Sequence, residues 1–322
     1  MINNRWKKIE RSKDVYLPTT TNNPIIKSNT NVCLMGSCFA DEMGYSLAYN
    51  NINIGKVDVD HKMEQVHYPW GTFFSPMNIF DILHLSFNGK IKNFFDESTF
   101  IRVNKNIIGN HYEREHQIDK DEQHILLNLF FKARLKTNDL DFAVNEIEKK
   151  LITFKKSILD SEVIIITLGL IEAWVDKKKN KAWHSFHGNA LKKQSVENLA
   201  TFKQLTFEEV SEFIREIIKI INIKKNKRII FTVSPIPLNF TFTNNDVVLA
   251  NRYSKSVLRS ALERFIDNKE IFYFPSFEIV QDCVGWPLSY KEDKRHIKEN
   301  VFSKYIAPKF IETFTNIKKY KF

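Results

Sequence analysis

Short apolar runs rich in β-branched residues alternate with amphipathic stretches along this chain of 322 residues. Their length and branching favour buried strands. These runs are 31–35, 162–168, 228–233 and 271–274. The intervening stretches carry apolar residues at helical spacing. They are 38–50, 75–87, 121–135, 139–160, 206–223, 251–267 and 299–318. Strands that alternate with helices predict a mostly parallel sheet covered by helices on both faces.

Capping residues and prolines in the sequence indicate where several of these helices begin. Ser75 followed by Pro76 is typical of a helix N-terminus, and Thr206 with Glu209 matches a capping box. Pro308 is expected to kink the last helix. Residues 1–30 are predicted to be an irregular arm, and residues 31–322 a single catalytic domain. Within that domain, insertions are expected near 90–118, as a hairpin, and near 176–205, as polar loop.

Composition narrows the functional classes. The chain has only 9 Gly, which excludes flexible glycine-rich linkers, and its 3 Cys favour a reducing compartment. No run is long and apolar enough to span a membrane, and the first residues lack a signal-peptide core. A cytoplasmic location is therefore expected. The formal net charge of +10 suits an anionic partner, although an AT-rich coding bias would also produce it.

Two polar sites stand out as candidate chemistry. Ser37 follows Gly36 at a predicted strand-to-helix turn, where its N–H lies at the positive end of a helix and its hydroxyl is exposed. A simple helix-capping role would also explain a Ser there. Near the other end of the chain, Asp293 precedes His296 by three residues in a polar loop and can fix its tautomer. Alone, Asp-x-x-His is a weak signal, and a histidine of a solvated loop is the more common explanation.

An early Ser and a late Asp-x-x-His together resemble the arrangement of the SGNH, or GDSL-like, hydrolase superfamily. Within it the sequence closely resembles the GSCFA family, whose naming signature is Gly36-Ser37-Cys38-Phe39-Ala40. Further segments share the resemblance, in order, over about residues 30–300. They are 70–76, 167–174, 233–238, 253–259, 273–278 and the loop that holds Asp293 and His296.

The resemblance implies a flavodoxin-like three-layer α/β fold and a serine acyl-transfer enzyme. His296 would accept the proton of Ser37, which attacks an ester or thioester, and Asp293 would orient His296. The oxyanion would be held by the N–H groups of Ser37 and Gly71. The superfamily's third donor, an Asn, is missing, because the corresponding block carries Glu172. Asn78 is a candidate replacement.

Other residues are candidates for substrate binding. Glu172 belongs to the block that departs from the pattern, and Trp174 could stack on a sugar ring. Arg252 and Lys255 lie on one predicted helix face and could hold a phosphate or an acidic sugar, although a solvated face is an equal alternative. No set of residues with metal-ligand spacing is evident, so no metal is expected.

The favoured function is an O-acetyltransferase that moves acetyl from acetyl-CoA, a co-substrate rather than a bound cofactor, to a capsular or related polysaccharide. The acceptor could be anionic, and a peripheral position at a membrane-bound glycan assembly complex stays open. A carbohydrate acetylesterase with the same triad is the first alternative, and a non-catalytic glycan-binding protein the second. Nucleic-acid motifs are absent from the sequence, so no nucleic-acid partner is expected.

Overall fold

The computed structural model describes residues 15–18, 20, 22–55, 57–61, 65–88, 91–103, 125–132, 134–184, 193–223, 227–286 and 288–317. Its strands are β1 (Val32–Gly36), β2 (Asp58–Asp60), β3 (Gln65–His67), β4 (Phe100–Val103), β5 (Ile125–Asn128), β6 (Arg134–Leu135), β7 (Val163–Leu168), β8 (Glu172–Asp176), β9 (Ala200–Gln204), β10 (Arg228–Val233) and β11 (Ile271–Tyr273).

The α-helices are α1 (Cys38–Tyr49), α2 (Pro76–Asn88), α3 (Ile91–Phe94), α4 (Leu140–Asp160), α5 (Lys193–Leu199), α6 (Phe207–Ile221), α7 (Val247–Glu263), α8 (Ser276–Glu278), α9 (Glu299–Val301) and α10 (Ala307–Phe314). A 3-10 turn covers Glu97–Thr99, and π-helical segments cover Ile279–Gly285 and Phe302–Ile306.

A parallel sheet in the order β1-β7-β10-β11 forms the centre of the fold. Every residue of β1 and β7 is buried, which explains why these strands are continuous apolar runs rather than alternating ones. Helices flank this sheet in the flavodoxin-like three-layer arrangement. The α/β fold expected from the sequence is thus confirmed.

The predicted helix over 121–135 is wrong. Residues 125–128 form β5, which pairs antiparallel with β4 and with β6. Asn128 ends the strand, because its Oδ1 accepts hydrogen bonds from the N–H groups of Phe130 and Phe131. The apolar side chains here are buried on successive positions, and such a short run fits a strand as well as a helix. Residues 104–124, which include much of the hairpin expected near 90–118 and the start of this predicted helix, lie outside the described residues.

The polar stretch 176–205 contains more structure than expected. Strand β8 pairs antiparallel with β9, from Glu172 opposite Gln204 to Asp176 opposite Ala200. Asp176 also shapes the lysine turn that follows, because its Oδ1 accepts from the N–H groups of Lys178 and Lys179. Polar residues on the outer positions of β9 concealed this strand pair. Residues 185–192 lie outside the described part of the chain.

Helix ends follow their capping residues. The predicted capping box of Thr206 and Glu209 is confirmed at the start of α6. Helix α7 begins four residues before the predicted start, because the side chain of Asp246 accepts from the N–H of Val248. The last predicted helix is interrupted by the π-helical segment, and Pro308 lies in the first turn of α10, directly after that segment.

Residues 22–26 of the predicted arm pack against the end of α10. The N–H of Asn23 donates to Thr313 O at 2.7 Å, and that of Ile26 donates to Phe314 O at 2.9 Å. Ile26 is only 1% exposed and belongs to the hydrophobic core. This part of the arm is therefore integrated into the fold. Residues 1–14 are outside the description.

Candidate active site

Ser37 lies at the turn between β1 and α1, as the sequence predicts. It is the N-cap residue of α1 in an extended conformation, and its side chain makes no capping hydrogen bond. The preceding Gly36 has φ +127, and a Cβ placed there would lie 2.1 Å from Thr167 O. The turn can therefore bring Ser37 this close to β7 only because residue 36 is glycine.

Thr167 holds Ser37 from the neighbouring strand. The Ser37 N–H donates to Thr167 Oγ1 at 2.8 Å and to Thr167 O at 3.2 Å. The Ser37 and Thr167 hydroxyls are 3.1 Å apart. Both the hydroxyl and the amide of Ser37 are thus engaged by one residue in this structure. From the sequence, Thr167 was only the first residue of the resembling segment 167–174 and had no assigned role, although a polar residue near the end of an otherwise isoleucine-rich strand was an available signal.

A cavity of about 260 Å³ opens beside Ser37, and we call it the serine cavity. Its wall is mostly apolar and rich in aromatic rings. These are Phe74, Trp174, Trp183, Phe202, Phe240 and Phe242. Polar groups enter the wall at a few points, among them Asn78, Glu172 and Arg295. A concave, mostly apolar site with a few convergent polar groups is typical of a ligand pocket.

Asn78 is the most unusual of these polar residues. It is 2% exposed, and within the described part of the chain neither its Nδ2 nor its Oδ1 has a hydrogen-bond partner. Its backbone is held by the Ser75 cap, whose Oγ accepts from the Asn78 N–H at 3.1 Å. A buried amide without partners is costly unless a ligand supplies them. The structure therefore brings together Ser37 and Asn78 around one cavity.

Gly71, the other predicted oxyanion donor, is directed elsewhere. Its N–H donates to Tyr68 O at 2.9 Å, and it is not part of the serine cavity wall. Its φ of +73 and the closeness of Lys132, 2.8 Å from a hypothetical Cβ, explain the glycine structurally. The expected role of Gly71 as an oxyanion donor is therefore not supported by the geometry.

Glu172 and Trp174 both line the serine cavity. The Glu172 carboxylate accepts from Thr241 Oγ1 at 2.6 Å and from the Phe242 N–H at 3.3 Å. The Trp174 ring meets Phe242 edge-on, with centroids 5.1 Å apart. The carboxylate thus anchors the loop that carries part of the aromatic wall.

Arg252 and Lys255 do not line the serine cavity. Lys255 is 1% exposed, and its Nζ donates to Gly169 O at 2.6 Å and to Ile236 O at 2.9 Å. Burial lowers the pKa of Lys255 to about 7. Arg252 lies over the Phe277 ring at 5.5 Å. Lys255 is therefore buried in a structural position, which fits neither the expected substrate-binding role nor the alternative of a solvated face; it ties together two loops of the cavity rim.

Asp293 and His296 form the predicted pair within their loop. Asp293 Oδ1 accepts from the N–H groups of Arg295 and His296, and its Oδ2 accepts from His296 Nδ1. Partial burial would raise the pKa of Asp293, but these hydrogen bonds outweigh it and hold the pKa at about 2. The ionised carboxylate can only accept, so Nδ1 carries a proton and Nε2 is left as the basic atom.

His296 opens on a second cavity of about 800 Å³, which we call the histidine cavity. Cys38 lines both cavities and lies between them. Within the described residues no hydrogen bond joins Ser37 to His296, whereas Arg295 of the same loop reaches the serine cavity. The Arg295 Nε is buried there and has no partner among the described residues. Arg295 is a second residue of the site that sequence reasoning missed, although it adjoins His296.

Comparison with known families places this geometry in context. The model of the GSCFA family matches residues 31–310, most of the chain. The chain belongs to the GSCFA family. The matched region contains the whole parallel sheet and both cavities, including Ser37, Asn78 and His296. Among curated proteins and among solved structures, none matches the chain significantly.

Cys38 follows the serine of the GSCFA signature, and its thiol is not activated. Burial, together with the nearby Asp41 and Glu42, raises the pKa of Cys38 to about 11. The thiolate is the nucleophilic form of cysteine, so this residue is a poor nucleophile near neutral pH.

In the described part of the chain no helix has the length and apolar character needed to cross a membrane.

Proposed function

We propose that this GSCFA protein is a serine-dependent O-acyltransferase that moves acetyl from acetyl-CoA to a hydroxyl of a capsular or related bacterial polysaccharide. One observation carries the proposal. Ser37 shares a small apolar cavity with the buried, unpartnered amide of Asn78, beside a loop in which Asp293 orients His296. Nucleophile, amide donor and oriented base are the parts that acyl transfer needs.

The first half-reaction forms an acyl-enzyme. Ser37 Oγ leaves Thr167, gives its proton to His296 Nε2 and attacks the thioester carbonyl. The tetrahedral intermediate collapses, the C–S bond breaks, and the proton passes from His296 to the departing CoA sulfur. In the second half-reaction a sugar hydroxyl gives its proton to His296 and attacks the acetyl ester on Ser37, which regains its proton.

Asn78 takes the role of oxyanion donor in this scheme. Its Nδ2 is buried in the cavity wall and has no partner among the described residues. By contrast, the Ser37 N–H must give up its hydrogen bond to Thr167 before it can donate to the oxyanion. The cationic Arg295 adds positive charge at the same cavity. One preorganised amide donor is worth about 10²–10³ in rate.

The serine cavity is the site for the acyl group. Its aromatic wall suits an acetyl thioester and the first part of the attached arm. An enzyme that uses acetyl-CoA would act where this thioester is available, in the cytoplasm, and could work at the surface of a membrane-bound glycan assembly complex. Acetyl-CoA is a co-substrate here, and no resident cofactor is needed.

A hydrolytic variant of the function is the second candidate. The His296 side chain is 42% exposed, so water can approach the base as readily as a sugar can. A carbohydrate acetylesterase would use the same Ser37 intermediate and differ only in the acceptor. A purely glycan-binding protein would form no intermediate at all.

Mass spectrometry of the intact protein after exposure to acetyl-CoA tests the proposal. We expect one acetyl group on the peptide that contains Ser37, none in Ser37→Ala, and undiminished labelling in Cys38→Ala, which controls for the neighbouring thiol. Free CoA should then appear faster when acetylatable polysaccharide is added. Acetate release from acetylated glycan without any use of CoA would favour the esterase, and turnover that survives in Ser37→Ala would overturn the serine mechanism.

A further inference from the structure

The histidine cavity differs from the serine cavity in size and chemistry. At about 800 Å³ it is three times as large and lies within the range of roughly 300–1,000 Å³ typical of ligand sites. Helix α1 forms one side with Glu42, Tyr45 and Tyr49, while the segment 291–303 forms another. An acyl-enzyme needs a second substrate site next to its base, and this cavity opens on His296.

Two tyrosines provide flat ring surfaces in this wall. Tyr45 and Tyr49 are one helical turn apart on α1, with centroids separated by 6.0 Å and planes 16° apart. Tyr49 is 46% exposed. Aromatic faces of this kind pack against the apolar C–H faces of sugar rings, while Gln65 and Asn300 offer amides to the ring hydroxyls.

The charge of the cavity selects among glycans. Besides His296, the described part of its wall carries the carboxylates of Glu42, Asp293 and Glu299 against the single ammonium of Lys291. Lys291 is also paired with Glu299 at 2.7 Å. The wall therefore has excess negative charge, although the whole chain carries +10. Such a surface repels polyanions, including acidic sugars and the phosphates of CoA.

We propose that the histidine cavity is the acceptor subsite and binds an uncharged oligosaccharide segment on Tyr45 and Tyr49. This assignment rests on the proposed acyl-transfer function and adds to it the class of acceptor. The acyl group enters at the serine cavity, the sugar enters at the histidine cavity, and the two meet at Ser37 and His296. The basic composition of the chain then has no part in acceptor choice.

Binding can be measured without turnover. The Ser37→Ala protein is titrated calorimetrically with neutral hexasaccharides of glucose and of N-acetylglucosamine, and with hexagalacturonic acid. We expect a neutral hexasaccharide to bind, and Tyr49→Ala in the same background to weaken it about tenfold. Tyr253→Ala, which removes an exposed tyrosine of α7 outside the cavity, is the matched control and should not change affinity.

Transfer gives the second readout. The protein is acetylated with p-nitrophenyl acetate, and acetylated hexasaccharide is measured. Tyr49→Ala should lower kcat/KM for the neutral acceptor about tenfold, whereas Tyr253→Ala should change neither the nitrophenol burst nor the transfer. Replacing Glu42 and Glu299 with Gln should improve use of the acidic hexamer. The assignment is overturned if the acidic hexamer binds or reacts better with the original protein, if Tyr49→Ala has no effect, or if the protein shows the nitrophenol burst but binds neither neutral hexasaccharide. Absence of the burst would instead refute the acyl-transfer function, and calorimetry would still report on the subsite.

Discussion

The two halves of the candidate site are held in opposite ways. Ser37 is 3% exposed, and its hydrogen bonds reach Thr167, 130 residues away on a neighbouring strand. Asp293 and His296 are three residues apart in one loop, with side chains 46% and 42% exposed. The nucleophile is therefore positioned by the whole fold, whereas the base is positioned by its own loop. Damage to the core should displace the first and leave the second intact.

Removal of either reacting group should have the largest effect. Ser37→Ala and His296→Ala should each lower acyl transfer by about 10⁴-fold or more, because a nucleophile and its base act as a unit. Combining them should add little. Initial rates with an acetyl thioester measure this, with Ser234→Ala, another serine of the serine cavity, as the control. Full activity in His296→Ala would show that the loop of Asp293 and His296 takes no part in catalysis.

The next largest effect should come from Asn78. Asn78→Ala should reduce kcat by about 10²–10³ with little change in KM, since the amide serves the transition state. Thermal stability should not fall, because the amide makes no hydrogen bond within the described structure. Asn78→Asp offers a matched shape without a donor and should be equally slow. A loss of stability with normal kcat would mean that the residue is structural.

Substitution of Gly36 tests how the fold positions Ser37, and the quantity measured is the stability of the protein. Gly36→Ala must place a Cβ 2.1 Å from Thr167 O at φ +127, and should lower the free energy of unfolding by about 3 kcal/mol or more. Gly55→Ala is the control, since its φ is +78 but nothing lies within 4 Å, so about 1 kcal/mol is expected. Chemical denaturation compares the two, and equal losses would show that the close approach to β7 is unimportant.

The buried Lys255 should make the stability of the protein depend on pH in the neutral to alkaline range. Its pKa is lowered to about 7 in the folded protein, so between pH 7 and about 10.4 the unfolded chain binds more protons. Stability should therefore rise with pH across this window, by at most about 1.4 kcal/mol per pH unit. Lys255→Met should flatten this rise. Denaturation midpoints at several pH values would contradict the prediction if both proteins changed alike.

Asp293 should make the stability of the protein depend on pH in the acidic range, and by a smaller amount. Its pKa of about 2 lies below that of an unfolded aspartate, so its contribution is present above about pH 4 and is lost as pH falls toward 2. Because the side chain is 46% exposed, the contribution should stay below about 1 kcal/mol. Asp293→Asn should remove it, as measured by acid titration of stability against Asp246→Asn, a helix-capping control.

The same contrast explains what could be predicted from the sequence. The pairing of Asp293 with His296 and the capping box at Thr206 depend on three-residue spacing, which is visible along the chain. The strands of the parallel sheet were readable because their residues are buried continuously. Such features need no knowledge of distant partners.

Features that depend on strand register or on contacts between distant segments could not be predicted from the sequence. Thr167 meets Ser37 because Gly36 is opposite Thr167 in the sheet, and Lys255 is buried because two distant loops close over it. The helix expected at 121–135 failed for a related reason, since the pairing of β5 with β4 decided its structure. The position of Asn78 was recognised only as a candidate, because its sequence neighbourhood does not show the cavity.

The contact between residues 22–26 and the end of α10 has a practical consequence for protein engineering. The family match covers residues 31–310, yet Ile26 and Phe314, both 1% exposed, lie beyond its two ends and are joined by a backbone hydrogen bond. A recombinant fragment trimmed to the homologous region would lose both residues and uncover the apolar surface beneath them. Boundaries for expression should therefore keep this contact, with truncation before residue 17, because Leu17 also packs against the core, and after residue 317 rather than at the limits of homology.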